Sequence, residues 1–143
     1  MNIETSASEI KTAIKLLSKH KYRSVSNVVG EYVETLIASA ARGEPAKHCQ
    51  KGFDVFSRNL GKIEVKSRNF HAKSKRCTLP NRKIESLDNF ILVIIKDAEI
   101  ERALQFSKEV LLGMKSASGS VYVDTQHYDL AIDISVKLRN NFL

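Results

Sequence analysis

The stretch FDVFSRNLGKIEVKSR, residues 53–68, decides the fold of this 143-residue chain. Residues 53–57 are rich in aromatic and β-branched side chains, and Asn59-Leu60-Gly61 is typical of a turn. Residues 62–68 alternate polar and apolar side chains with the period of two that a half-buried strand requires. The stretch therefore predicts an antiparallel hairpin.

Three charged residues of this hairpin could form one metal site. Side chains i and i+2 share a face of a strand, so Glu64 and Lys66 point together, and Asp54 lies on the partner strand. Two carboxylates and the backbone carbonyl of Val65 would supply oxygen ligands, which Mg²⁺ prefers. Lys66 could hold an attacking water and stabilise a pentavalent phosphate. The same pattern also fits three charged residues on the exposed face of a hairpin.

The flanking sequence predicts an α/β domain with a mixed sheet. Apolar residues at helical spacing predict a helix from about Ser24 to Ala40, ended by Gly43. The apolar run Phe90–Ile95 predicts a central strand that is buried on both faces. Between the hairpin and this strand, residues 69–83 are polar and basic and predict a loop.

The remaining elements are a helix starting near Ser6, a strand over Ile100–Phe106, a helix from Ser107 to Leu112 and an edge strand at Val121–Val123. The C-terminal segment fits two structures. Residues 130–138 alternate as in a strand, whereas residues 133–142 fit a helix, which we favour.

This order of motifs resembles the PD-(D/E)xK nucleases, the restriction-endonuclease-like superfamily. The likeness runs from about Val28 to Ile95 and rests on Val29-Gly30-Glu31-Tyr32, on residues 50–55, on residues 62–68 and on the buried strand. Phe53 stands where the motif names Pro. The resemblance implies one nuclease domain over residues 1–143, with a helical part at 6–43, a catalytic core at about 28–106, and a restriction-endonuclease-like mixed β-sheet flanked by helices.

The resemblance also assigns roles to individual residues. It implies that Asp54 and Glu64 bind the metal, that Lys66 is the catalytic lysine, and that Glu31 is an additional acidic catalytic residue near the metal. Helical spacing leaves both Glu31 and Glu34 beside the apolar stripe of their helix. We favour Glu31, because the preceding Gly30 has no Cβ and could let the helix approach the sheet closely.

The charge pattern predicts a nucleic-acid partner. The net charge is +7, with an isoelectric point of about 9.5. Between Val65 and Ile84 there are seven Lys or Arg and no Asp or Glu, so the charge of this segment equals the net charge of the whole chain. A solvated surface is the alternative. The candidate DNA-binding residues are Arg68, His71, Lys73, Lys75, Arg76, Arg82, Lys83 and Gln50.

We therefore expect a Mg²⁺-dependent DNA endonuclease, restriction-type or homing-type, in which Mn²⁺ can replace Mg²⁺. The alternatives are a Holliday-junction resolvase and a non-catalytic DNA-binding protein with a nuclease-like fold. Because one site usually cuts one strand, we expect a homodimer or a dimer of dimers. The apolar region Val121–Leu138 is the candidate interface, unless it packs on its own sheet. No run is long enough to span a membrane, so we expect a soluble cytoplasmic protein.

Overall fold

The computed structural model describes residues 8–15, 25–47 and 52–143. The described helices are α1 (residues 8–15), α2 (Val25–Ala40), α3 (Asn81–Glu85), α4 (Lys108–Gly113) and α5 (Ser135–Arg139), with a 3-10 helix at Thr125–Leu130. The strands are β1 (Glu44–Pro45), β2 (Val55–Ser57), β3 (Gly61–Asn69), β4 (Cys77–Pro80), β5 (Asn89–Lys96), β6 (Glu99–Ser107), β7 (Ser120–Val123) and β8 (Ile132–Asp133).

The strands form a mixed six-stranded sheet in the order β1-β2-β3-β5-β6-β8. β2 and β3 form the predicted antiparallel hairpin, β3 and β5 run parallel, and β5 and β6 are antiparallel. A second sheet contains β4 and β7. The predicted α/β architecture, a mixed sheet with helices packed against it, is confirmed.

The two faces of the large sheet bury two separate cores. Ile63 and Val65 of β3 pack with α2 in the first core. On the other face, Phe90 and Leu92 of β5 pack with α3, β4 and β7 in the second core. All of residues 90–95 are buried, as the apolar run predicts. β3 therefore lies between two hydrophobic layers, and polar side chains that it directs toward the second core meet α3.

The prediction that residues 69–83 form a loop is wrong in its second half. Residues 77–80 form β4, and α3 begins at Asn81. Cys77 and Leu79 are fully buried, because β4 pairs with the distant strand β7, with Leu79 opposite Val121. A four-residue strand carries little local pattern, so this long-range pairing is not visible in the sequence around it.

The C-terminal region partly follows the sequence predictions. A helix is present at Ser135–Arg139, shorter than expected, and Val121–Val123 lies within β7. The apolar residues divide into two groups. Val121, Val123, Ile134 and Leu138 are buried within the protomer, whereas Leu130, Ile132, Val136 and Phe142 are exposed. The region thus packs on its own domain with one side only. No helix within the described ranges is long and apolar enough to cross a membrane.

Candidate functional site

The face of β3 that points away from α2 carries the charged residues of the motif. In the parallel register with β5, Glu64 lies opposite Phe90 and Lys66 lies opposite Leu92. Paired residues share a face of the sheet, so both charged side chains point toward the layer that contains α3 and β4. The alternation in residues 62–68 therefore places Glu64 and Lys66 on one side, as the sequence predicts.

Asp54 is held against this strand by its backbone and its side chain. Its N–H donates to the Ile63 carbonyl over 2.8 Å, and its Oδ2 accepts a 2.8 Å hydrogen bond from the Val65 N–H. Because Val65 directly follows Glu64, this hydrogen bond holds the Asp54 carboxylate beside the part of β3 that carries Glu64. Asp54 Oδ2 thus orients the side chain through this hydrogen bond, and Oδ1 remains to coordinate a cation.

Glu64 is the most unusual residue of the site, because its side chain is only 1% exposed. Its Oε1 lies 2.5 Å from Lys83 Nζ and 3.3 Å from Lys66 Nζ. Its Oε2 is buried and has no hydrogen-bond partner. Burial raises the pKa of the Glu64 carboxyl, the hydrogen bond from Lys83 opposes that rise, and the charge of Asp54 adds to it. Both ammonium groups therefore serve one oxygen of the carboxylate, and the other oxygen is buried without a hydrogen-bond partner.

The structure distinguishes the two candidate carboxylates of α2. Glu31 is exposed, whereas Glu34 is half-buried. Burial raises the pKa of the Glu34 carboxyl, and the charges of Asp54 and Glu64 raise it further. Gly30 does not favour Glu31, because a Cβ added at Gly30 would meet no atom within 4 Å, so the helix makes no close approach at this position. Of these two α2 glutamates, Glu34 is therefore the one whose pKa the charges of Asp54 and Glu64 raise.

A cleft of about 700 Å³ opens beside Glu64. α3 forms one wall, and it is tied to the segment before β2 because Ser86 Oγ donates to the Gly52 carbonyl over 3.2 Å. Gly52 has a φ of +104°, which favours glycine at this position. The cleft is lined by basic and small polar groups, among them Lys66, Arg82, Lys83, Thr78, Ser86 and Gly52. An anion of phosphate size fits the volume and the charge.

The carboxylates of Asp54 and Glu64 fit Mg²⁺, which keeps some of its waters, better than a metal that is bound by protein side chains alone. Residues 8–15, 25–47 and 52–143 contain no group of three or more His, Cys, Asp or Glu side chains that could hold a metal. Mg²⁺ needs no such group, because it keeps several waters and commonly uses one or two carboxylates plus substrate phosphates. The partnerless Oε2 of Glu64, beside Asp54, is the observation that fits such an ion.

The basic segment does not behave as one surface. Arg68 donates to the carbonyls of Ser67 and Arg76, so it braces its own loop. Arg76 pairs with Asp124 at 3.1 Å and stacks on Tyr122. By contrast, His71, Lys73 and Arg82 are exposed, and none of them pairs with a carboxylate of the described residues. Gln50 lies outside the described residues.

Sequence reasoning missed two features. Lys83 was expected only to bind DNA, yet it contacts Glu64. Phe70, directly after β3, is partly exposed, and the ammonium groups of Lys96 and Lys75 lie 4.6 and 5.8 Å from its ring centroid. The sequence signal for this cluster is an aromatic residue within the basic segment, because bases commonly stack on aromatic rings in nucleic-acid binding.

Comparisons with known proteins find a structural likeness but no match to a family model or a curated protein. Among solved structures, the Holliday junction resolvase Hjc of the archaeal hyperthermophile Archaeoglobus fulgidus is 15% identical and has a TM-score of 0.49. The match covers 71% of this chain and 96% of that one. At this identity and TM-score, the similarity is limited to the arrangement of helices and strands.

Proposed function

We propose that this chain is a Mg²⁺-dependent endodeoxyribonuclease with a restriction-endonuclease-like core. The observation that carries the proposal is the buried Glu64, whose Oε2 has no partner, next to Asp54 and beside a basic cleft. A buried carboxylate oxygen without a partner is costly, and a site that binds a cation accounts for that cost. Asp54 Oδ1, Glu64 Oε2 and the Val65 carbonyl are the proposed ligands, and Mn²⁺ is expected to substitute.

The residues of the site then have separate tasks. When bound, the metal lowers the pKa of a coordinated water and neutralises charge on the scissile phosphate. Asp54 is oriented by the Val65 N–H, so its remaining oxygen faces the site. Lys66, whose side chain is 30% exposed, reaches the cleft and can hold the attacking water and stabilise the negative charge that develops on the phosphoryl oxygens. Arg82 lines the same cleft and can bind a neighbouring phosphate.

DNA is the proposed substrate because of the cleft and its surroundings. Lys66, Lys83 and Arg82 line the cleft, and Lys73 of the same basic segment is exposed. Cations near a cleft bind phosphates without reading sequence. The restriction-type or homing-type hypothesis therefore places specificity in exposed loops, whereas the resolvase hypothesis places it in the shape of a four-way junction.

The test is a cleavage assay on supercoiled plasmid, linear duplex and a four-way junction, each with EDTA, Mg²⁺ or Mn²⁺. We expect cutting only with metal. Asp54→Asn keeps the acceptor for the Val65 N–H but removes the charge. It should lower the cleavage rate at least about a hundredfold, since a catalytic metal contributes several kcal/mol. DNA affinity in EDTA should persist or increase, because one of two repelling carboxylates is neutralised.

The matched control is Asp129→Asn, an exposed aspartate in the 3-10 helix, which should cut like the wild type. Preferential cutting of the junction would select the resolvase hypothesis, and duplex cutting would select the restriction-type or homing-type hypothesis. A wild-type protein that binds all three DNAs but cuts none with either metal would favour the non-catalytic DNA-binding protein. Cleavage that is unchanged in Asp54→Asn would exclude Asp54 as a ligand.

A further inference from the structure

Two ammonium groups converge on one oxygen of Glu64. Lys66 comes from the same strand, whereas Lys83 comes from α3, and Lys83 makes the shorter contact to Oε1, at 2.5 Å against 3.3 Å. Since Oε2 has no partner, the two cations share one acceptor while a second acceptor stays empty. Neutralising one carboxylate needs only one lysine, so the second ammonium calls for another explanation.

The backbone that carries Lys83 is well anchored. The single hydroxyl proton of Ser86 is shared between two carbonyl acceptors, that of Lys83 at 2.8 Å and that of Gly52 at 3.2 Å. Asp88, just after α3, makes two hydrogen bonds with the backbone of Lys62 in β3: its N–H donates to the Lys62 carbonyl over 2.8 Å, and its side-chain Oδ2 accepts from the Lys62 N–H over 2.9 Å. The base of the Lys83 side chain is therefore fixed beside β3, and only its flexible end can move.

The end of the Lys83 side chain has a second place to go. It is 31% exposed and lines the cleft together with Lys66 and Arg82. A lysine ammonium is a compact charge on a flexible stem, so it can exchange a carboxylate for a nearby phosphate with small rotations. A divalent cation on Glu64 would repel Lys83 at close range, so the cation and Lys83 compete for the same carboxylate.

We propose that Lys83 is a second active-site lysine, which is the counter-ion of Glu64 in the metal-free protein and contacts the DNA phosphate in the cleft once a divalent cation is on Glu64. The proposal rests on the proposed function, because it takes Glu64 as a metal ligand. It assigns Lys83 two partners in turn, whereas a general phosphate-binding lysine would have one.

The experiment measures Mn²⁺ binding without DNA, by isothermal titration calorimetry, and cleavage at saturating Mn²⁺. Lys83→Gln removes the competing charge, so Mn²⁺ should bind about tenfold more tightly, which corresponds to about 1.4 kcal/mol. Cleavage should nevertheless fall about tenfold or more, because the phosphate contact is lost. Lys83→Arg keeps a cation and should bind Mn²⁺ like the wild type. Arg82→Gln, next in sequence and in the same cleft, is the control and should leave the Mn²⁺ affinity within about twofold.

Tighter Mn²⁺ binding together with slower cleavage would support the proposal. Unchanged or weaker Mn²⁺ binding by folded Lys83→Gln, or unchanged cleavage at saturating metal, would overturn it. Lys83→Met, which keeps the aliphatic stem, repeats the test if Lys83→Gln does not fold, as judged by circular dichroism. A wild type that binds no Mn²⁺ would sink the proposed function as well, whereas a wild type that binds and cuts beside an unaltered Lys83→Gln would sink this inference alone.

Discussion

Glu64→Gln should make the metal-free protein more stable while it abolishes cleavage. The ionised carboxylate is buried, its Oε2 has no partner, and burial raises the pKa of Glu64 despite Lys83 and Lys66. A neutral isostere removes the desolvation cost of the charge. The two lysines that lose their partner are about a third exposed, so water can solvate them again. A buried polar group without a partner costs about 1–3 kcal/mol, and a charged one more.

The expected gain of about 1–3 kcal/mol corresponds to a rise in Tm of roughly 3–10 °C for a chain of this size. The measurement is thermal unfolding by circular dichroism in EDTA at pH 8. Glu101→Gln, an exposed glutamate of β6, is the control and should change stability by less than about 0.5 kcal/mol. With metal at a hundred times its Kd, the wild type should gain about 2.7 kcal/mol and the variant should not, so the difference closes or reverses.

The pH dependence follows from the direction of the pKa shift. A carboxyl whose pKa is raised in the folded state binds more protons there than in the unfolded chain, so folding stability falls as pH rises. For Glu64 the fall should begin near its ordinary value of 4.5 and level off above the raised pKa. Glu64→Gln should lack this contribution. A variant that is less stable than the wild type in EDTA at pH 8 would refute the reasoning, because the ion pairs would then outweigh the desolvation.

Three further predictions concern the surroundings of the site. Glu34→Gln should lower metal-dependent cleavage about tenfold, as for residues that support metal ligands, and Glu31→Gln should lower it less; equal effects would contradict the distinction drawn from burial and charge. Replacing Lys73 and Arg82 together with Gln should flatten the slope of log K against log salt for duplex binding by about two units, measured by fluorescence anisotropy in Ca²⁺; an unchanged slope would mean that neither contacts phosphate. If the exposed side of the C-terminal region joins two protomers, light scattering should give a dimer with and without DNA, and Ile132→Glu should give a monomer; a wild type that stays monomeric on DNA would exclude this interface.

The local sequence pattern was sufficient to predict the arrangement of residues that lie on one strand. The alternation of residues 62–68 fixes which side chains share a face, so the pairing of Glu64 with Lys66 was predictable before any tertiary contact was known. The run at 90–95 was predictable for the same kind of reason, since a strand buried on both faces has no polar positions. Neither inference depends on knowing what packs against the sheet.

The choice between Glu31 and Glu34 was not predictable in this way. Both residues flank the apolar stripe of α2, and their separation of three residues places them on adjoining parts of the helix surface. Which of them faces Asp54 depends on how the whole helix is rotated on the sheet. That rotation is set by packing of residues such as Val33 and Ile37 in the first core. In the sequence Gly30 favours Glu31, but a Cβ added at Gly30 would meet no atom within 4 Å.

The basic run shows why charge counted along a sequence overstates a binding surface. Arg76 is neutralised by Asp124, a residue of the loop after β7 that is brought near only because β7 pairs with β4. Lys83 is drawn to Glu64 by the position of α3, which itself follows the unpredicted strand β4. The same missed strand therefore accounts for both ion pairs, neither of which the sequence predicts. Replacing Lys75 and Arg76 together should consequently flatten the salt slope by less than the two units that two phosphate contacts would give, whereas the pair Lys73 and Arg82 should approach that value.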